Sequence, residues 1–229
     1  TALNAQGVGA GGVTLQLGAN QTLATTLQIG SATLSTGSNA STQANPITIN
    51  GGNFTISAAF AGTRTGSLSS GANDAIVVVN GTDYITIKNC VFTEQVSNST
   101  TTTAIENAIG FYNRNSASPF DGVQYATVDS CTFNLSKAAT SGSAVFIGSF
   151  IWTGTTSLSW AAFGTLPGDM NRYINVTNST FTGSYNYITY RGATTANGRA
   201  LTVTGNTFTN IGGGASTAYG VYGLYLDSL

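Results

Sequence analysis

Tyr84-Ile-Thr-Ile-Lys-Asn-Cys-Val-Phe-Thr93 decides the fold, because the chain repeats it without gaps. The copies are Tyr125-Ala-Thr-Val-Asp-Ser-Cys-Thr-Phe-Asn134, Tyr173-Ile-Asn-Val-Thr-Asn-Ser-Thr-Phe-Thr182 and Ala200-Leu-Thr-Val-Thr-Gly-Asn-Thr-Phe-Thr209. The second, fourth and ninth positions are apolar: Ile85, Ile87 and Phe92 in the first copy, Ile174, Val176 and Phe181 in the third. Between the second and fourth positions stands Thr or Asn. This alternation is that of a half-buried strand. At the sixth position comes a polar corner, Asn89, Ser130, Asn178 or Gly205. Beyond it the apolar phase restarts one step out of register, as a bend between two short strands requires.

A looser apolar segment follows each copy: Ala108–Asn113, Ala144–Ser149, Tyr185–Tyr190 and Tyr219–Leu226. The unit is therefore strand, corner, strand, turn, strand, turn. The copies start at 84, 125, 173 and 200, so the intervals are 41, 48 and 27 residues. The shortest fits one turn of a wide coil. The longer ones carry low-complexity insertions, which read as loops, since loop closure costs little more as length grows. Such a coil buries its interior only by stacking on neighbours. The expected fold is all-β: a right-handed parallel β-helix with loop insertions. It should form a single domain over 1–229, irregular over 1–73 and regular over 74–229, within a longer protein.

Composition narrows the function. Only 7% of the residues are charged and the net charge is −1, far below the roughly 25% charged residues of an ordinary domain. The seven Lys and Arg are scattered, which leaves no electrostatic footprint for nucleic acid. The longest apolar run, Ala75–Val79, is too short to span a bilayer. Hydrophobic residues make up 41% and cluster in β-branched and aromatic groups, so order is expected rather than disorder.

The sequence resembles right-handed β-helix proteins secreted by Bacteroidota. The resemblance rests on Asp74–Cys90, on Ala108–Asn113 with Gly122–Cys131, on Asn134–Lys137, and on the opening Ala2–Gly7. It implies a secreted or cell-surface protein of several domains, exported by the type IX secretion system. Asp227-Ser-Leu229 is similar to the O-glycosylation site of such proteins. The family overlaps with the pectate-lyase-like superfamily, but no motif here matches that superfamily's catalytic residues.

Histidine is absent, which removes the commonest general base and metal ligand. The eight carboxylates are dispersed along the chain. Glycoside hydrolysis needs two of them roughly 5 to 10 Å apart, so only stacking of distant coils could assemble such a pair. No metal site and no cofactor is expected. Lys88 and Asp129 share the fifth position of adjacent copies and read as a surface ion pair. Asp169 and Arg172, in the loop before the third copy, stand near Trp152 and Trp160 in sequence. Those four form a candidate sugar-binding group. Cys90 and Cys131 share the seventh position and are expected about 4.8 Å apart on stacked strands, within disulfide range. Parallel side chains on stacked strands lie alongside one another, which favours a ladder of two buried thiols over a disulfide. The outward Thr columns read as β-propensity on a solvated face rather than as an ice-binding array. Tyr219, Tyr222, Leu224 and Tyr225 would form an apolar end face able to assemble with another subunit.

Three functions follow as expectations. The first is an extracellular structural or adhesive module presenting loops to glycans, cells or subunits. The second is a polysaccharide-active lyase or glycoside hydrolase with a site assembled across coils. The third is a self-assembling filament subunit or secretion cargo.

Overall fold

The structure is a computed structural model describing residues 2–62, 74–95, 97, 100, 103–115, 120–136, 142–151, 159–160, 167–191, 200–210 and 222–227. After a short helix α1 (Ala2–Gln6), the chain winds through six coils of three strands each. The first coil is β1 (Val13–Gln16), β2 (Gln21–Leu23) and β3 (Leu27–Ile29). A one-turn helix α2 (Ala32–Ser35) follows; the Ser31 hydroxyl caps it by accepting from the Leu34 N–H. The second coil is β4 (Ile47–Asn50), β5 (Thr55–Ala58) and β6 (Ala75–Asn80), and the third is β7 (Ile85–Lys88), β8 (Val91–Glu94) and β9 (Asn107–Asn113). The fourth is β10 (Thr127–Asp129), β11 (Thr132–Asn134) and β12 (Ser143–Ile151), the last pairing antiparallel with the short β13 (Ser159–Trp160). The fifth is β14 (Ile174–Thr177), β15 (Thr180–Gly183) and β16 (Asn186–Arg191), and the sixth is β17 (Leu201–Thr204), β18 (Thr207–Phe208) and β19 (Leu224–Asp227). Corresponding strands stack in parallel into three sheets of six, the architecture of a right-handed parallel β-helix with three faces.

Stacking turns the apolar positions of the repeat into continuous core columns. One runs Ile49, Ile87, Val128, Val176 and Val203 up the first sheet. Another runs Ile56, Phe92, Phe133, Phe181 and Phe208 up the second. Its rings stack with centroids 5.4 Å apart (Phe92–Phe133) and 4.8 Å (Phe133–Phe181), and Phe208 packs tilted on Phe181 at 5.1 Å. Both long intervals of the sequence are single coils, since Thr86 pairs with Thr127 and Thr127 with Asn175. The third sheet differs from the other two. Every residue of β6 and β9 is buried, and Ala75, Val78, Tyr112 and Phe146 form a second apolar cluster apart from the main core.

The sixth-position corner explains its own composition. Asn89, Ser130, Asn178 and Gly205 have φ of 53°, 53°, 51° and 67°. This left-handed region costs most residues roughly 1–2 kcal/mol and suits Gly and Asn best. The corner amides also tie coils together: Asn89 donates to the Asn50 side chain at 3.0 Å and Asn178 to Asp129 at 2.9 Å. Cys90 and Cys131 are free, buried thiols in the core. A hydrogen-bonding contact with Cys90, together with burial, pushes the Cys131 thiol well above its ordinary value.

Candidate functional site: a tyrosine ridge along the first sheet

The first position of the repeat builds the most distinctive surface of the molecule. Tyr84, Tyr125 and Tyr173 each stand at the corner leading into the first strand of their coil. Their φ values of 48°, 56° and 54° place all three in the left-handed region. Three bulky residues there mark strain held by the surroundings. The rings stack on one another, with centroids 4.7 Å apart between Tyr84 and Tyr125 and 4.8 Å between Tyr125 and Tyr173, each pair 11° from parallel. Tyr125 is 43% exposed. Tyr84 and Tyr173 are half-buried. Because the faces are used in stacking, the ridge offers solvent its ring edges. Burial, Tyr125 and Asp83 together raise the Tyr84 phenol above its ordinary value, so it stays a hydrogen-bond donor near neutrality.

A polar column precedes the ridge, one residue earlier in each coil: Asp83, Gln124 and Arg172. The Gln124 backbone N–H donates to the Asp83 carboxylate at 2.7 Å. Arg172 Nε donates to Gln124 Oε1 at 3.0 Å, and its guanidinium lies 4.8 Å from the centroid of Tyr173. Two residues beyond the tyrosines, Thr86, Thr127 and Asn175 follow on the outward side of β7, β10 and β14. The ridge therefore runs between a column that carries amide and charge and a column of hydroxyls and amide.

Asp83 is the group in this region whose titration falls near neutrality. Burial pushes its carboxyl up to about 7; the Gln124 N–H and Arg172 oppose that shift and Asp121 adds to it. Asp121 itself is engaged by Arg114 at 2.5 Å. The folded chain then holds a proton that the unfolded chain releases near 3.8. Between 3.8 and about 7 the native state binds more protons, so this group's stabilisation is lost as pH rises through that window. Thermal unfolding of Asp83→Asn across pH 4 to 8 should show a flatter decline than the parent; parallel curves would mean that Asp83 titrates normally.

The described members of the group that the sequence suggested have different partners. Asp169 is buried, and its carboxylate accepts from the Phe120 backbone N–H at 3.0 Å. Its carbonyl accepts from the Asn113 amide at 2.9 Å. Arg172 lies on the ridge instead. Trp160 belongs to β13, opposite Phe150 of β12, and Trp152 lies outside the described residues. The expected ion pair is also rearranged. Asp129 does stack on Lys88, but its carboxylate accepts from Thr177 Oγ1 at 2.7 Å and from the Asn178 amide. These bonds, Thr177 first, hold it below its usual range, and Lys88 contributes least. At the last described coil Tyr222 and Leu224 are exposed, and Tyr222 packs against Tyr225 with ring centroids 5.2 Å apart. Tyr225 pairs with Thr189 in the coil below. Tyr219 lies outside the described residues.

Among the described residues no His, Cys, Asp and Glu cluster could hold a metal ion, and no helix is long and apolar enough to cross a membrane. Fold and surface together define a class: a three-faced parallel β-helix with an aromatic ridge along one corner. Compared with known families, curated proteins and solved structures, the chain matches none of them.

Proposed function

We propose that the protein is an extracellular adhesive β-helix that binds glycan chains along the Tyr84–Tyr125–Tyr173 ridge. The carrying observation is the choice of residue at two equivalent corners. At the sixth position the left-handed backbone is met by Asn twice and by Gly once, which accept it best, and by Ser130 once. At the first position the same conformation is met by tyrosine three times. Stacking offsets part of that cost, since aromatic pairs contribute about 0.5–1.5 kcal/mol beyond their buried area. An Asn at the same corner would avoid the cost altogether. The side chain is therefore selected for what it presents to solvent.

A glycan suits what is presented. Phenol tips and amides give hydrogen bonds to sugar hydroxyls, and ring edges give apolar contact to sugar C–H groups. The ridge repeats once per coil, near 4.8 Å, close to the repeat of an extended chain of pyranose units. A chain lying along the helix axis would meet one similar rung per sugar. The low charge and hydroxyl-rich faces agree with a role in contact rather than turnover, and the resemblance to secreted Bacteroidota proteins supports a cell-surface or secreted location.

The test is retention of the purified chain on a panel of plant, algal and bacterial polysaccharides, with analysis of soluble products. Retention without products is the expected result. Released oligosaccharides would move the reading to an enzyme, with Asp83 as the first acid to examine because its carboxyl titrates near 7. Absence of both would leave a scaffold.

A further inference from the structure

We propose that Arg172 is the anchor for an anionic substituent, a carboxylate or sulfate, on the glycan held by the tyrosine ridge. The inference rests on the glycan-binding reading and narrows it to acidic chains.

The argument begins with what holds Arg172. Its Nε donates to Gln124 Oε1 at 3.0 Å, and its guanidinium carbon lies over the Tyr173 ring, 4.8 Å from the centroid. A guanidinium carries five N–H donors, and here one of them is used. Among the described residues, no carboxylate forms an ion pair with it and neither terminal nitrogen has an acceptor. Arg114, a few residues before Asp121, shows the contrast, since Asp121 takes its Nε. Arg172 is half-buried, so its charge is partly stripped of water, and the carboxyl that feels it, Asp83, makes no ion pair with it. A cation is ordinarily paired when it is withdrawn from solvent.

The geometry then selects the ligand. With Nε held by Gln124 and the guanidinium over the Tyr173 ring, the two terminal nitrogens form a fork at the end of the ridge. A fork of this kind binds an oxyanion through two parallel, charge-assisted bonds, whereas a sugar hydroxyl uses one. Because the side chain is already ordered, little entropy is lost on binding. The nearest competing charge in the column is Asp83. It lies two coils away, roughly 10 Å at about 4.8 Å per coil. An anion at Arg172 is therefore attracted at close range and only weakly opposed.

Affinity electrophoresis of the whole chain tests this with matched polymers: a sulfated galactan and its desulfated form, and a polyuronate and its carboxyl-reduced form. Retention is expected on at least one charged polymer. It should fall about tenfold or more in the neutral counterpart and in Arg172→Gln, with unfolding temperature checked in parallel. Which charged polymer binds tells sulfate from carboxylate. Lys88→Gln removes a cation from the same sheet and should leave retention unchanged; an equal loss would mean nonspecific attraction and overturn the assignment. Equal retention on charged and neutral chains, or unaltered binding by Arg172→Gln, overturns it too while leaving the glycan-binding reading intact. Should the parent bind none of the four polymers nor any of the wider panel, both fail.

Discussion

Phe133→Ala should destabilise the protein by about 3–5 kcal/mol, the usual range for truncating a fully buried phenylalanine. Phe133 is fully buried, at the middle of the phenylalanine column, between Phe92 and Phe181. Strands above and below fix the coil spacing, so the backbone cannot collapse into the space left behind. The loss then includes the stacking of two ring pairs as well as buried area. Denaturant titration reads it as a lower midpoint with little change in slope. Phe133→Leu, which refills most of the volume, should recover much of the difference. A shift below about 1 kcal/mol for the alanine variant would mean that the column does not hold the coils together.

Tyr125→Ala should reduce polysaccharide retention about tenfold or more, near 1.4 kcal/mol of binding free energy, while changing stability far less than Phe133→Ala. Tyr125 is the central ring of the ridge and stacks on both neighbours. Removing it interrupts the row of phenols and leaves Tyr84 and Tyr173 without a partner between them. The stability cost is limited because the ring is 43% exposed. Alanine keeps a Cβ, so the left-handed backbone at this corner stays as strained as before. Tyr125→Phe separates the two contributions of the side chain: it keeps the stack and removes one hydroxyl. Intermediate retention by the phenylalanine variant would assign binding to both edge contact and hydrogen bonding.

The four repeat copies made the core columns legible because strand, corner and strand keep one spacing from Tyr84 onward. There, two residues separate the first strand from the second: Asn89 and Cys90, Ser130 and Cys131, Asn178 and Ser179, Gly205 and Asn206. The first two coils use four residues instead, 17–20 between β1 and β2 and 51–54 between β4 and β5. Their strands stack in register all the same, Val13 on Ile47 and Ile47 on Ile85. A gapless alignment misses them because the corner, not the strand, has changed length. Gly51 shows why the wider corner is tolerated: a Cβ there would come within 2.3 Å of the Asn89 carbonyl oxygen, so glycine lets the backbones approach.

The ridge was written in the sequence more faintly. Tyrosine opens three of the copies, and Asp83, Gln124 and Arg172 each stand one place before it. Position alone says neither that the backbone there is left-handed nor that the rings face solvent. Asp169 and Arg172 show the reverse relation between sequence and surroundings. They are three residues apart, yet Asp169, the last residue of the 3-10 turn Pro167–Asp169, is buried and accepts from the Phe120 backbone N–H, while Arg172 bonds to Gln124 on the ridge. Nearness in sequence suggested one site; the two side chains have different partners.

The most direct measurement is hydroxyl-radical footprinting of the chain with and without a retained polysaccharide, read at single-residue level by mass spectrometry. Protection concentrated at Tyr84, Tyr125 and Tyr173 is expected, with Phe133 and the rest of the buried core unchanged. Unaltered reactivity of the three tyrosines, with protection at Tyr222 and Tyr225 or on another sheet, would contradict the ridge as the recognition surface.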